Sequence, residues 1–179
     1  MKYCAQCGGK VELKVPDGDN RPRHVCMDCG RIHYLNPRLI VGTLPVWQDK
    51  VLLCRRAIEP RQGYWTLPAG FMENGESAAD GAQRETLEEA CARVRVLDPY
   101  TLVSVPFIDQ LHLLFRAELL DLDFAPGPES LEVRLFDEAD IPWNELAFRS
   151  VTLTLRAFFD ERRSGRFGVH HISLPPIER

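Results

Sequence analysis

The chain has 179 residues, 45% of them hydrophobic, with a formal net charge of -4. That length leaves room for one ordinary domain plus a small appendage, and the hydrophobic share is enough for a packed core, so disorder is excluded as the default. The mildly acidic balance excludes nucleic acid or an anionic membrane as a partner held by bulk charge.

The chain begins MKYCAQCGG, without a charged stretch leading into an apolar run, so no signal peptide is expected. No uninterrupted apolar stretch approaches the roughly 18 residues that a membrane span needs. A soluble, cytoplasmic protein is expected. Residues 1–36 stand apart from the rest, with paired cysteines, several glycines and few large apolar residues; Asn36-Pro37 marks the joint, because the residue before proline is pushed into an extended conformation.

Within that segment Cys4-Ala5-Gln6-Cys7 and Cys26-Met27-Asp28-Cys29 form two matching knuckles. Two residues between cysteines let both thiolates grip one tetrahedral ion, and Gly8 and Gly30, just after the pairs, suit a tight turn that aims backbone amides at sulfur. Four thiolates favour a closed, structural Zn²⁺ site with no open position for catalysis. Two disulfides or a redox pair are the alternative, disfavoured in a reducing compartment. Six basic and four acidic side chains, with four thiolates and one Zn²⁺, leave the segment near neutral, so nucleic acid is not an expected partner. Its expected role is a metal staple for a segment with little core; in zinc-finger peptides such an ion is worth roughly 10–16 kcal/mol.

From residue 37 the pattern is that of a larger domain. Leu39–Trp47 is a β-favouring run, Gln48-Asp49-Lys50 a turn and Val51–Cys54 a returning strand. Gly63–Gly70 reads as a loop around a short strand. Ser77 to about Ala92 reads as a helix, capped by Ser77 with Asp80 in its first turn. Val94–Val105, Gln110–Leu119 and Glu132–Phe136 read as strands, the last after the Pro126-Gly127-Pro128 loop. A second helix runs from Ser150 to about Arg163, with Val151, Leu155, Phe158 and Phe159 at core spacing. The tail after Gly165 reads as loop. His112, His170 and His171 have no ligand spacing and read as ordinary core or surface residues; Cys54 reads as buried and inert.

The first helix carries the chemistry. At 100° per residue Leu87, Ala90, Cys91 and Val94 share one side, and Glu85, Glu88 and Glu89 the opposite side. Carboxylates at i, i+3 and i+4 repel one another unless a cation lies between them, and hard oxygen ligands suit Mg²⁺ or Mn²⁺. A bare E-x-x-E-E would read as a solvated acidic face. Here Gly70, Glu76, Arg84, Glu85, Glu88 and Glu89 stand at fixed distances that chance meets roughly once in ten million starting positions at average residue usage.

Gly70–Ala92 resembles the Nudix box, in which a glycine is followed after five residues by Glu, after seven more by Arg-Glu, and then by Glu-Glu. Every charged position matches. Thr86 and Ala92 stand where the box usually has an aliphatic residue, and Cys91 where it usually has glycine. The resemblance implies an α/β (α+β) fold, an α/β/α sandwich with a mixed sheet over residues 37–179, preceded by the zinc ribbon of residues 1–36. It implies Mg²⁺ or Mn²⁺ bound by Glu85, Glu88, Glu89 and the carbonyl of Gly70, with Arg84 paired to Glu76. Glu85 or Glu88 would orient or deprotonate the attacking water, or a glutamate outside the box would, Glu129 and Glu132 being the nearest.

A four-cysteine ribbon before such a domain resembles the NADH pyrophosphatase group. That group carries Ser-Gln-Pro-Trp-Pro-Phe-Pro after the box, whereas this chain has Ser104-Val105-Pro106-Phe107-Ile108-Asp109-Gln110, which makes NADH a poorer fit. Ser130–Arg149 is similar to bacterial zinc-ribbon relatives and to plant relatives acting on ADP-ribose and FAD. The implied activity is hydrolysis of ADP-ribose or an ADP-containing dinucleotide to AMP and a second phosphate, with a homodimer common among such relatives. Arg55, Arg56 and Arg61 are candidates to meet phosphate, with a plain surface role the alternative; Glu132 is a further substrate-binding candidate; Tyr64, Trp65 and Phe107 are candidates to stack a base, with core packing the alternative for Trp65; Trp143 reads as structural. The competing readings are a nucleotide sensor that does not cut, its ribbon contacting a macromolecule, and a hydrolase of RNA ends, which would want a basic cluster the sequence does not show.

Overall fold

The computed structural model describes residues 1–176. The chain divides into two compact units, Met1–Asn36 and Pro37–Arg179. The first is a three-stranded antiparallel sheet of β1 (Val11–Lys14), β2 (Arg23–Cys26) and β3 (Ile32–His33), in the order β1-β2-β3. Its buried apolar residues are Cys4, Val11, Val25 and Cys26, too little apolar surface to hold a fold unaided.

The second unit is built on an eight-stranded mixed sheet. Its path is β10 (Ser130–Phe136), β5 (Lys50–Arg56), β4 (Arg38–Trp47), β9 (Gln110–Leu119), β8 (Val94–Val105) and β11 (His170–Ser173). Two short strands lie off the path: β6 (Trp65–Thr66) pairs with β5, and β7 (Ala69–Phe71) with β4. β4 runs parallel to β9 and β11 parallel to β8, while the other pairings are antiparallel.

Period-two alternation gives the sheet two apolar faces. On β5, Val51 and Leu53 join one core while Leu52 and Cys54 join another. The first core is closed by α2 (Arg149–Arg162) through Val151, Leu155, Phe158 and Phe159, as their spacing predicts. The opposite face is covered by α1 (Ala78–Ala90), whose Ala82 and Ala90 pack on it. The result is the expected α/β/α sandwich.

Each helix is pinned to the sheet by a pair of buried threonines. Thr86 Oγ1 donates to the carbonyl of Ala82 at 2.7 Å, so its single proton is used and Thr43 on β4 donates to it at 2.6 Å. Thr154 repeats the device on α2, donating to the carbonyl of Ser150 at 2.9 Å and meeting Thr101 of β8 at 2.8 Å. The threonine in the usual aliphatic position of the box thus has a partner across the interface.

Three expectations need correction. The tail after Gly165 is not all loop, since β11 pairs with β8 from His170↔Thr101 to Ser173↔Ser104; no local turn signal marks a parallel partner so distant in sequence. The first helix ends at Ala90, because Cys91 adopts a left-handed φ of 48° as its C-cap. Its two faces are also not divided as the wheel suggests: Leu87 is 51% exposed and Cys91 is exposed, whereas Glu85 and Glu89 are 9% and 7% exposed. Two of the three glutamates thus belong to the buried side.

Candidate active site and cysteine cluster

The four cysteine sulfurs of the first unit all lie within 4.8 Å of one another. Cys4 and Cys29 are 3.8 Å apart and Cys7 and Cys26 3.4 Å, and every cysteine is a free thiol. Four thiolates about 2.3 Å from one tetrahedral Zn²⁺ stand about 3.8 Å apart, so the residues fit the ion. Disulfides need about 2.05 Å. Gly8 and Gly30 take the left-handed turns expected, with φ of 75° and 72°. The amides that reach sulfur come from their neighbours: Gln6 to Cys4 and Gly9 to Cys7 at 3.4 Å, and Cys29 to Cys26 at 3.5 Å. The amides of Cys29 and Asp28 point at the Cys26 sulfur and favour the thiolate that a metal needs. His33 Nε2 adds a 3.2 Å contact to Cys4.

In the second unit a cavity of about 740 Å³ opens between β7, α1, β9 and the start of α2. One end is lined by Gly70, Glu85, Glu88, Glu89 and Glu129. Ser77 starts the helix that carries three of these, its hydroxyl accepting from the Asp80 amide at 3.2 Å. Arg84 clamps the preceding loop. Its Nε and Nη2 donate to the two Glu76 oxygens at 3.0 and 2.8 Å, and Nη2 reaches the Phe71 carbonyl at 3.2 Å. Those bonds, with the Glu73 amide, hold the Glu76 carboxyl down at about 2.

The same guanidinium touches two helix glutamates through Nη1, Glu85 at 2.7 Å and Glu88 at 3.1 Å. Glu85 also lies against Gly70, where an added Cβ would stand 2.3 Å from its Oε2. Among the described residues Glu89 accepts only the Ala69 amide, at 3.3 Å. Burial, with Glu85 and Glu129 close by, pushes its carboxyl up to about 8, and burial raises Glu85 too. Buried carboxylates with so little compensation suit a hard divalent cation. With Glu85 and Glu88 turned to Arg84, the glutamate oxygens are more widely spaced than the sulfurs; among the described residues only the cysteines form a mutual cluster within 4.8 Å.

Glu129 arrives on the loop expected at Pro126-Gly127-Pro128. Ala125 N–H bonds the Ala90 carbonyl at 2.9 Å and Gly127 N–H the Glu89 carbonyl at 3.0 Å, capping the C-terminus of α1. A Cβ on Gly127 would lie 1.8 Å from the Glu88 carbonyl oxygen, so only glycine permits this approach. The Pro-Gly-Pro sequence was the available signal.

Of the substrate candidates, Arg56 lines the cavity, with its guanidinium 5.2 Å from the Phe148 ring centre. Trp65 does not: it is buried in the core, edge-on to Phe136 at 4.8 Å, because β6 turns it inward against β5. Phe107 is exposed on a 3-10 turn outside the lining. Arg55 is engaged with the Gly63 carbonyl at 2.9 Å and Glu132 at 3.9 Å, leaving both off the cavity wall. Arg61 and Tyr64 stack on each other, also outside it. His112, read as ordinary, lines the cavity together with Gln110, Phe148 and Ser150, none of which sequence reading singled out.

Comparison with known proteins agrees with this geometry. A family model described as Nudix N-terminal, a zinc ribbon, matches residues 2–35, and the NUDIX domain model matches residues 36–155. A crystal structure of a NUDIX hydrolase from Nitrosomonas europaea is 56% identical, covers 97% of this chain and 99% of its own, and superposes with a TM-score of 0.95. An ADP-ribose pyrophosphatase from Streptococcus suis, 22% identical with a TM-score of 0.63 over 76% of this chain and 99% of its own, shares the fold. The curated NAD-capped RNA hydrolase NudC of Pseudomonas aeruginosa is 31% identical over 92% of this chain and 57% of its own length; that of Shigella flexneri is 30% identical over 79% and 53%. The chain spans about half the length of the curated relatives it matches. With both family models matched in succession and a solved relative alike from end to end, the chain belongs to the Nudix hydrolase family, among the members with an N-terminal zinc ribbon.

Proposed function

We propose that the protein hydrolyses the pyrophosphate bond of a nucleoside diphosphate linked to another moiety, ADP-ribose or an ADP-containing dinucleotide such as FAD, releasing AMP and a second phosphate. The observation that carries the reading is the gathering of Glu85, Glu88, Glu89 and Glu129 at one end of a cavity large enough for such a compound. Mg²⁺ or Mn²⁺, held by the three helix glutamates and the Gly70 carbonyl, would supply positive charge against the pyrophosphate and make phosphorus easier to attack. Arg56 binds a phosphate oxygen near Glu89. Arg84 keeps Glu76 and its loop against the helix and sets the direction of Glu85. Glu129 takes the proton of the attacking water; its place on the cavity wall favours it over Glu132, which is engaged with Arg55. Residues 1–36 hold a structural Zn²⁺ and residues 37–179 perform the chemistry, in the cytoplasm and as a homodimer.

A second reading, an NAD-linked substrate including one at an RNA end, is favoured by the similarity to the NAD-capped RNA hydrolases. Ser104–Gln110, which departs from the NADH pyrophosphatase pattern, weighs against it. Product analysis with ADP-ribose, FAD, NADH, NAD-capped RNA and nucleoside triphosphates decides between them. AMP from ADP-ribose or FAD, lost when Mg²⁺ and Mn²⁺ are omitted, is expected. Turnover confined to the NAD compounds would install the second reading, and no turnover of any would overturn both.

A further inference from the structure

The cavity has a second end of different character. β9 presents Gln110, His112 and Leu114 two residues apart on one face, and all three line it. Phe71 of β7 pairs with Ile40 of β4, and Ile40 pairs with His112. His112 is therefore two strands from β7, about 10 Å at ordinary strand spacing. Ile40, Phe148 and Val151 complete an apolar surround. Of the two arginines of the lining, Arg84 is bonded to Glu85 and Glu88, and Arg56 lies near Glu89 with its guanidinium over the Phe148 ring.

His112 is held at both ring nitrogens, Nδ1 lying 3.0 Å from Ser150 Oγ and Nε2 3.0 Å from Gln110 Oε1. A carboxamide oxygen only accepts, so Nε2 carries the proton. Nδ1 is then the acceptor, and the Ser150 hydroxyl donates to it. Burial lowers the pKa of the ring and keeps it in this one-proton form. The chain of donors from Ser150 through His112 to Gln110 engages the amide oxygen of Gln110. Its NH₂ group, with two hydrogens to give, has no protein partner among the described residues.

We propose that Gln110, oriented by His112 and Ser150, is a specificity subsite for an uncharged ring-bearing moiety attached to the pyrophosphate. The amide NH₂ donates to a carbonyl, ring nitrogen or hydroxyl oxygen of that moiety, and its apolar remainder covers Ile40, Leu114 and Phe148. Gln110 is the contact residue and His112 a positioning residue. The proposal rests on the hydrolase reading above.

The test compares inorganic pyrophosphate, which has no ring, with ADP-ribose and FAD. Affinities are read by calorimetry with Ca²⁺, a more loosely coordinating ion, replacing Mg²⁺ to slow turnover; rates are read with Mg²⁺. Gln110→Met keeps length and apolar packing, and Gln110→Glu keeps shape while removing the donor. The wild type is expected to bind at least one ring-bearing compound tenfold or more tightly than pyrophosphate. Both variants should lose most of that margin with pyrophosphate affinity unchanged, and the KM of the best substrate should rise about tenfold with kcat within about twofold. A wild type without the margin, or variants that keep it, overturns the subsite. An intact margin that falls as expected in the variants, without turnover, overturns the hydrolase reading alone.

Discussion

Replacing Gly70 by alanine tests whether the direction of the Glu85 carboxylate matters to catalysis. A Cβ at position 70 stands 2.3 Å from Glu85 Oε2, 2.4 Å from Cδ and 2.5 Å from Oε1, where ordinary contact begins at 3.4 Å. The carboxylate must retreat by about 1 Å, and a misplacement of that size at a reacting centre costs on the order of 100-fold in rate. The obstacle is the end of a flexible side chain, so the fold should survive with a stability loss below about 1–3 kcal/mol. Gly168→Ala is the control, since its nearest neighbour is 3.8 Å from the added carbon. Steady-state kinetics across a Mg²⁺ titration should show kcat/KM down by about 100-fold and half-activation displaced to higher Mg²⁺. Activity within threefold of the wild type, in a folded protein by circular dichroism, would refute the role given to Glu85.

Thr86→Val leaves the buried Thr43 hydroxyl without its acceptor and should cost about 1–3 kcal/mol in urea denaturation, whereas Thr43→Val with Thr86→Val should recover part of that loss. Cys91→Gly relieves a left-handed φ and should raise stability by about 0.5–1 kcal/mol; an unchanged Tm would count against strain at that cap. Cys26→Ser should lower zinc content and the stability of the first unit far more than kcat, read by metal analysis and limited proteolysis. Glu76 has its folded pKa depressed to about 2, so its contribution is full above the unfolded value near 4.5 and is lost as pH falls from there toward 2. Acid unfolding of Glu76→Gln should lack that component; identical acid limbs in both proteins would show that the pair contributes nothing.

The elements with strong local periodicity were legible from sequence: β4, β5, β8, β9, β10 and both helices fall within a few residues of their expected bounds. What failed depended on distant partners or on the site itself. β11 gains its bonds from β8, some seventy residues away, and carries no turn signal of its own. The helical wheel set Leu87 with the apolar side and the glutamates opposite it, yet the fold buries Glu85 and Glu89 and leaves Leu87 exposed. A cavity that gathers carboxylates reverses the usual rule of burial, which is why burial on α1 does not follow its apolar stripe. Trp65 fills the core because a two-residue strand sets its direction. Gln110 and His112 sit in an ordinary-looking alternation, and nothing in that pattern reveals what the neighbouring strands bring beside them.

The loop that caps α1 carries a consequence for which lengths of chain the fold can accept. Ala125 and Gly127 bond to the end of the helix, the Ser130 amide bonds back to the Gly127 carbonyl, and the Glu129 carbonyl receives the Ala57 amide. Residues 125, 127, 129 and 130 are therefore each tied to a fixed point, while Leu122 and Asp123 lie exposed before the first of those points. Insertions accumulated over time belong before Ala125. One residue gained or lost after it would move Glu129 away from the helix glutamates and uncap α1 in the same step, so the spacing from Ala125 to Ser130 should tolerate change no better than the spacing of the glutamates themselves.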